Sequence, residues 1–258
     1  MKKNIKRLVA LFLVVLLIWI LYNLFSSYPK NKITVLTPNE NGLEIIRLDP
    51  QDWTIYKIKI PGNTEINVAD NKGKWKAESL WKLSIQESKK GLLAKESIVK
   101  SLSIPVEGWD EESLNKAING NFLNIIQTFP TKENSTLSKK EINSIIWFKI
   151  MRFKLSESNL GDLTEEKIKK IFSTDSVGEA EIINSGATHA DEIEVSNIIN
   201  ILGGKVILTK TDDSYKNINQ CQIEGPDSKV NNLLKNVLDC DKTKFSEKLK
   251  IILGQGIL

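Results

Sequence analysis

The chain has 258 residues, 41% of them hydrophobic and 26% charged, and a formal net charge of +4. That apolar share is ordinary for a folded globular chain and excludes a disordered one. Lys2, Lys3, Lys6 and Arg7 account for four of the 36 basic groups, so the remaining 32 balance the 32 acidic ones, and no clustered basic surface is left for nucleic acid.

Leu8 to Phe25 carries no charged residue. As a helix it would be roughly 27 Å long, close to the hydrocarbon thickness of a bilayer. The basic residues ahead of it favour a cytoplasmic N-terminus, and Trp19 and Tyr22 suit a membrane interface. The expectation is an uncleaved signal-anchor. It makes residues 1–32 a cytoplasmic tip, transmembrane helix and spacer, with the bilayer as a partner through Leu8–Phe25. The chain would then cross the cytoplasmic membrane once, with its C-terminus outside. A cleavable signal peptide is the alternative, but Leu24 or Phe25 would stand where cleavage wants a small residue.

Strand-like runs follow at Ile33–Leu36, Leu43–Leu48 and Trp53–Ile60. Asn41-Gly42 supplies the positive-φ positions of a hairpin turn, and Pro50 fixes a dihedral in the next turn, so the three runs predict a meander. From Gly73 to Phe172 the periodicity is helical: Leu80, Trp81 and Ile85 share one face, and Ile142, Ile145 and Ile146 another. Ser138 and Glu141 have the spacing of a capping box, which places a helix start there. Ile145–Phe153 is too short and too charged to span a bilayer, leaving a buried helix or an interfacial segment.

A different rhythm begins near Gly178. Ala180–Ile183, Val206–Leu208, Cys221–Ile223 and Lys250–Leu253 read as strands. Val195–Leu202 and Val230–Leu238 read as amphipathic helices, the first ended by Gly203-Gly204. The predicted class is therefore α/β: an N-terminal transmembrane helix, a β-meander plus helices domain over residues 33–176, and a small C-terminal βαββαβ domain over 177–258.

Cys221 and Cys240 are the only cysteines. The strand from Cys221 runs out by about 16 Å and the helix ending near Asp239 returns by about 18 Å, so the two sulfurs come to the same level. An oxidising compartment would allow the bond; two buried thiols packed as small apolar groups are the alternative. A zinc site is excluded by donor count, since His189 is the sole histidine.

Catalytic signatures are sparse. His189 sits in a loop with no evident partner, and no Gly-x-Ser-x-Gly elbow is present. Gly203-Gly204-Lys205 ends a helix where a phosphate loop would open one. Glu111-Glu112 and Glu165-Glu166 fall in first turns of helices, where the dipole stabilises them.

Glu181-Ile182-Ile183-Asn184-Ser185-Gly186, Val195–Gly204, Val206–Leu208 and Ile251-Ile252-Leu253-Gly254 resemble the C-terminal domain of LytR-CpsA-Psr cell-envelope proteins. Upstream, Ile60-Pro61-Gly62-Asn63-Thr64, Leu102–Val106 and Leu137–Arg152 resemble segments of the LytR-CpsA-Psr domain itself. The resemblance implies transfer of glycopolymers from a polyprenyl-pyrophosphate carrier to the cell wall, with arginines on the pyrophosphate and acidic residues on magnesium. This chain departs from that pattern: Gly62 and Asn63 stand where the family has Arg-Asp, and only Arg47 and Arg152 remain as arginines beyond Arg7. A bidentate phosphate clamp and a carboxylate are thereby missing. The expectation is a degenerate, non-catalytic relative with no cofactor, binding a wall polymer, a lipid-linked precursor or an envelope protein. The alternative is an active, magnesium-dependent glycopolymer phosphotransferase.

Overall fold

A computed structural model describes residues 12–16, 18–19, 32–111, 114, 118, 135–138, 141, 153–174, 177–215 and 221–255. The expected transmembrane helix over Leu8–Phe25 is corrected: among the described residues no helix is long and apolar enough to cross a membrane. Crossing takes about 20 apolar helical residues, and the described helical positions in that stretch are 12–16 and 18–19. The single-pass location, its orientation and the bilayer as a partner lose their support with it.

The meander forms as expected. Strands β1 (Ile33–Asn39), β2 (Gly42–Asp49) and β3 (Thr54–Pro61) pair antiparallel, with Val35 opposite Ile46 and Ile46 opposite Lys57. The Asn39 side chain accepts from the Asn41 N–H at 2.9 Å, and Gly42 takes a φ of +147° that disfavours any side chain. At the second turn the Asp49 carboxylate accepts from the N–H groups of Gln51 and Asp52 at 3.0 and 3.3 Å.

A hairpin of β4 (Glu65–Asn67) and β5 (Lys74–Lys76) leads into α1 (Ala77–Gln86) and α2 (Leu92–Leu102). β6 (Gly108–Trp109) then joins β1 in parallel, and β7 (Lys154–Asn159) joins β3 in parallel, giving the order β6-β1-β2-β3-β7. The helical reading of residues 73–172 is corrected at these strands. β7 is a polar edge strand held by its backbone pairing to β3, so it carries no apolar alternation to announce it. Ile85 is 51% exposed, while Leu80 and Trp81 are buried. One face of the sheet sets Leu36, Ile45 and Ile58 against Leu80, Leu93 and Ile98; the other packs Val35, Ile46 and Ile55 against Leu114 and Leu137. The capping box is formed: the Ser138 N–H donates to Glu141 Oε2 at 2.6 Å and the Glu141 N–H to Ser138 Oγ at 3.3 Å. Ile142, Ile145, Ile146 and most of Ile145–Phe153 lie outside the described residues.

Helix α3 (Glu165–Phe172) precedes a second sheet, with Glu165 and Glu166 in its first turn. β8 (Glu179–Asn184), α4 (His189–Ile201), β9 (Lys205–Thr211), β10 (Cys221–Gly225), α5 (Ser228–Leu238), β11 (Lys242–Phe245) and β12 (Leu249–Leu253) follow. Their order is β11-β10-β12-β8-β9. The expected βαββαβ succession gains β11, a short edge strand parallel to β10; its sequence Lys-Thr-Lys-Phe is too polar to read as a strand, and Phe245 is 80% exposed.

Candidate functional site

Cys221 opens β10 and Cys240 follows α5, and the two form a disulfide with a Cα–Cα distance of 4.7 Å. The bond closes the loop formed by β10 and α5, with a sequence separation of 19. Metal ligation and free thiols are thereby excluded for this pair.

The loop between β8 and α4 is organised by Asn184. Its Oδ1 accepts from the N–H groups of Gly186 and Ala187 at 2.8 and 2.9 Å, and its Nδ2 donates to the Ala187 carbonyl at 3.0 Å and Glu192 Oε1 at 2.5 Å. A capping box between Thr188 and Asp191 then starts α4. His189 projects from that first turn, exposed, with Nδ1 3.1 Å from Glu192 Oε2. Gly203, at φ +89°, ends the helix, so Gly203-Gly204-Lys205 is a helix stop.

The positions that resemble the family's phosphate clamp are now specific. Gly62 lies against α1: its carbonyl accepts from the Glu78 N–H at 3.1 Å, and a Cβ added at Gly62 would fall 2.6 Å from the Asn41 carbonyl and 2.9 Å from Glu78 Cβ. Asn63 is exposed in the turn beside it. Arg152 lies outside the described residues.

Arg47, the arginine of β2, is committed to the interior. It is 2% exposed, donates from Nη1 to Thr34 Oγ1 at 2.6 Å and from Nη2 to the Phe172 carbonyl at 3.2 Å, and stacks 5.2 Å from the centroid of the Phe172 ring. Burial lowers its pKa, while Glu107 and Asp49 act in the opposite sense. Glu107 accepts from the Thr34 N–H at 3.2 Å and is pushed up to about 7, chiefly by burial. Lys32 adds an ion pair to Asp49 at 2.9 Å and donates to the Ser173 carbonyl at 3.3 Å. On the neighbouring flank, Lys95 of α2 is 3% exposed, has its pKa lowered by burial, and donates to the Asn236 carbonyl of α5.

Arg47, Lys32 and Lys95 therefore all meet carbonyls in the last turns or C-caps of α3 and α5, where helix dipoles favour cations. The chemistry this supports is cohesion between the two sheets. None of it presents a bidentate guanidinium to a ligand. Lys95 and the half-buried Glu107 and Lys32 went unnoticed in the sequence because nothing local marks a charged residue for the interior; a lysine at an apolar position of the α2 stripe was the one available signal.

Magnesium would need clustered oxygen donors. Among the described residues no group of three or more His, Cys, Asp or Glu is placed to hold a metal ion. The described residues supply no such cluster.

No family profile matches this chain, nor does any curated protein. Among solved structures it is similar to the LytR-CPS2A-psr family protein YwtF (TagT) with bound octaprenyl pyrophosphate lipid, at TM-score 0.26 and 10% identity, over 71% of this chain and 77% of that one. A transcriptional regulator from Enterococcus faecalis matches at TM-score 0.26 and 10% identity, over 86% and 80% of the two chains. B. subtilis TagT matches at TM-score 0.24 and 10% identity, over 70% and 76%.

Proposed function

We propose that this chain is a non-catalytic binding or assembly module of the cell envelope, with a LytR-CpsA-Psr-like unit over residues 33–176 and a LytR C-terminal-like unit over 177–258. Its ligand is a wall polymer, a lipid-linked precursor or an envelope protein. The observation that carries this reading is Gly62, where the family's clamping arginine would drive its Cβ into the Asn41 carbonyl and α1. Arg47 supports it, because a guanidinium bonded to Thr34 and Phe172 is not free for a phosphate. A transferred phosphoryl group needs such cations or a metal to take up its developing charge. The Cys221–Cys240 bond supports an oxidising compartment, and the Asn184 loop gives a physical role to the residues that carry the C-terminal likeness.

The test incubates the full chain with a polyprenyl-pyrophosphate-linked glycan and magnesium, following phosphate release and binding together. Saturable binding without turnover is expected. Phosphate-bond cleavage above the protein-free control overturns the non-catalytic reading.

A further inference from the structure

A cleft of about 370 Å³ opens at one end of the second sheet, well apart from Gly62 and Arg47 in sequence and independent of the envelope reading. The N-terminal ends of β8 and β12, the start of α5 and the middle of β9 surround it. Its volume is that of a small-ligand pocket.

Its charge is one-sided. Glu179, Glu181, Asp227 and Glu247 line it, against Lys248 alone, which pairs with Glu181 at 3.4 Å. Asp227 serves as the cap of α5, accepting from the Lys229 N–H at 2.7 Å. Glu179 and Glu247 are exposed and form no ion pair among the described residues. Ile207, Val230 and Leu249 give the cleft apolar walls suited to an aliphatic stem.

A second observation is independent of these carboxylates. Asn231 lines the cleft, is 5% exposed, and spends its Nδ2 on the Gly225 carbonyl at 3.1 Å and the Lys244 carbonyl at 3.2 Å. Its Oδ1 is buried and accepts no hydrogen bond. A buried acceptor left unpaired costs about 1–3 kcal/mol, and calls for an absent donor. The oxygen sits directly over Gly225, where an added Cβ would collide with it and would lie 3.1 Å from Leu249 Cδ1. Glycine at 225 thus leaves room for that buried oxygen, beside the end of the Leu249 side chain that lines the cleft.

The neighbouring edge supplies the rest. β9 is the outer strand of its sheet, and Lys205–Thr211 is exposed throughout but for half-buried Val206. Ile207 is 46% exposed and belongs to both the edge and the cleft wall. An exposed seven-residue edge offers a row of backbone donors and acceptors to an incoming strand.

We propose that an extended peptide segment pairs along β9 and sets a lysine or arginine side chain into this cleft, its cation against Glu179 and Glu247 and a donor directed at Asn231 Oδ1. The partner is thereby a basic protein segment, chosen by the negative charge of the cleft and the strand-shaped edge beside it.

The experiment titrates the isotope-labelled full chain with an acetylated, amidated octapeptide of alternating threonine and lysine, following backbone amide shifts. Shifts confined to β9, residues 178–181 and residues 247–249 are expected, weakening with added salt. The double variant Glu179→Gln, Glu247→Gln, altered only at exposed positions, weakens binding about fivefold, equivalent to roughly 1 kcal/mol. The same peptide with glutamate for lysine produces no shifts. The proposal is overturned by an absence of shifts, by shifts scattered over other acidic surface, by an unchanged affinity in the double variant, or by calcium alone reproducing the shifts where the peptide does not.

Discussion

At Gly62 close packing leaves no room for a side chain. Its α-carbon is wedged between the Asn41 carbonyl and α1, so the Gly62→Arg variant must move backbone before its guanidinium can reach any ligand. Overpacking of this kind costs about 1–3 kcal/mol; urea unfolding of Gly62→Arg should show a loss in that range, and an unchanged midpoint would remove the steric account. Glu194 makes a pH-dependent case. Burial raises its pKa to about 8, opposed by Lys100 and assisted by Asp191, and its Oε1 is buried without a hydrogen bond. The folded state binds this proton more tightly than the unfolded one. The stability it contributes is therefore full below the unfolded value near 4.5 and is lost as pH rises toward 8. Glu194→Gln should stabilise the protein at pH 8 by about 1 kcal/mol and leave it unchanged at pH 4, as read by denaturant midpoints across that range. The glycine at 62 was visible in the sequence; the burial of Glu194 was not, because a charge on a helix reads as solvent-facing until the packing against it is known.

At the scale of elements, the disulfide and the caps are the strongest local devices. A bond spanning a sequence separation of 19 restricts the unfolded chain by about 3 kcal/mol on the chain-entropy model. Cys221→Ser with Cys240→Ser should lose that much stability, and reductant should lower the wild-type midpoint while leaving the double variant unmoved. Thr188→Ala removes the side-chain half of the α4 capping box, and should cost about 1 kcal/mol by the same measurement. Elements with strong local chemistry were legible: the Asn41-Gly42 turn, the Ser138–Glu141 box, the apolar stripe of α5 and the Gly203 stop all stand where the pattern put them. β7 and β11 were not legible. Both are edge strands whose stability comes from backbone pairing with β3 and β10, a partner far away in the chain for β7, so their side chains had no need to alternate.

Over the whole molecule, one apolar cluster runs from the first sheet into the second, through Ile45, Leu80 and Ile98 to Phe172, Ile182 and Leu234. Buried cations fasten its margin: Arg47 holds the end of α3 and Lys95 the last turn of α5. Arg47→Leu removes the guanidinium whose charge acts on half-buried Glu107 and buried Asp49, together with its bonds to Thr34 and Phe172, and should cost about 3 kcal/mol, the usual penalty for stranding a buried charge. Glu107→Gln in the same background should recover part of the loss at pH 8, since Glu107 sits near 7 in the folded protein. Full additivity of the two substitutions would show that the residues do not interact.

By itself, the sequence determined the meander, most elements of the second sheet and the pairing geometry of Cys221 with Cys240, because each is written in local periodicity, turn chemistry or residue identity. Tertiary structure alone decided that Arg47 and Lys95 serve cohesion, that β7 and β11 are strands, and that four carboxylates and Asn231, with its buried unpaired oxygen, line one cleft. Those outcomes depend on which distant segments meet, and burial, which sets both charge state and partner, is a property of that meeting.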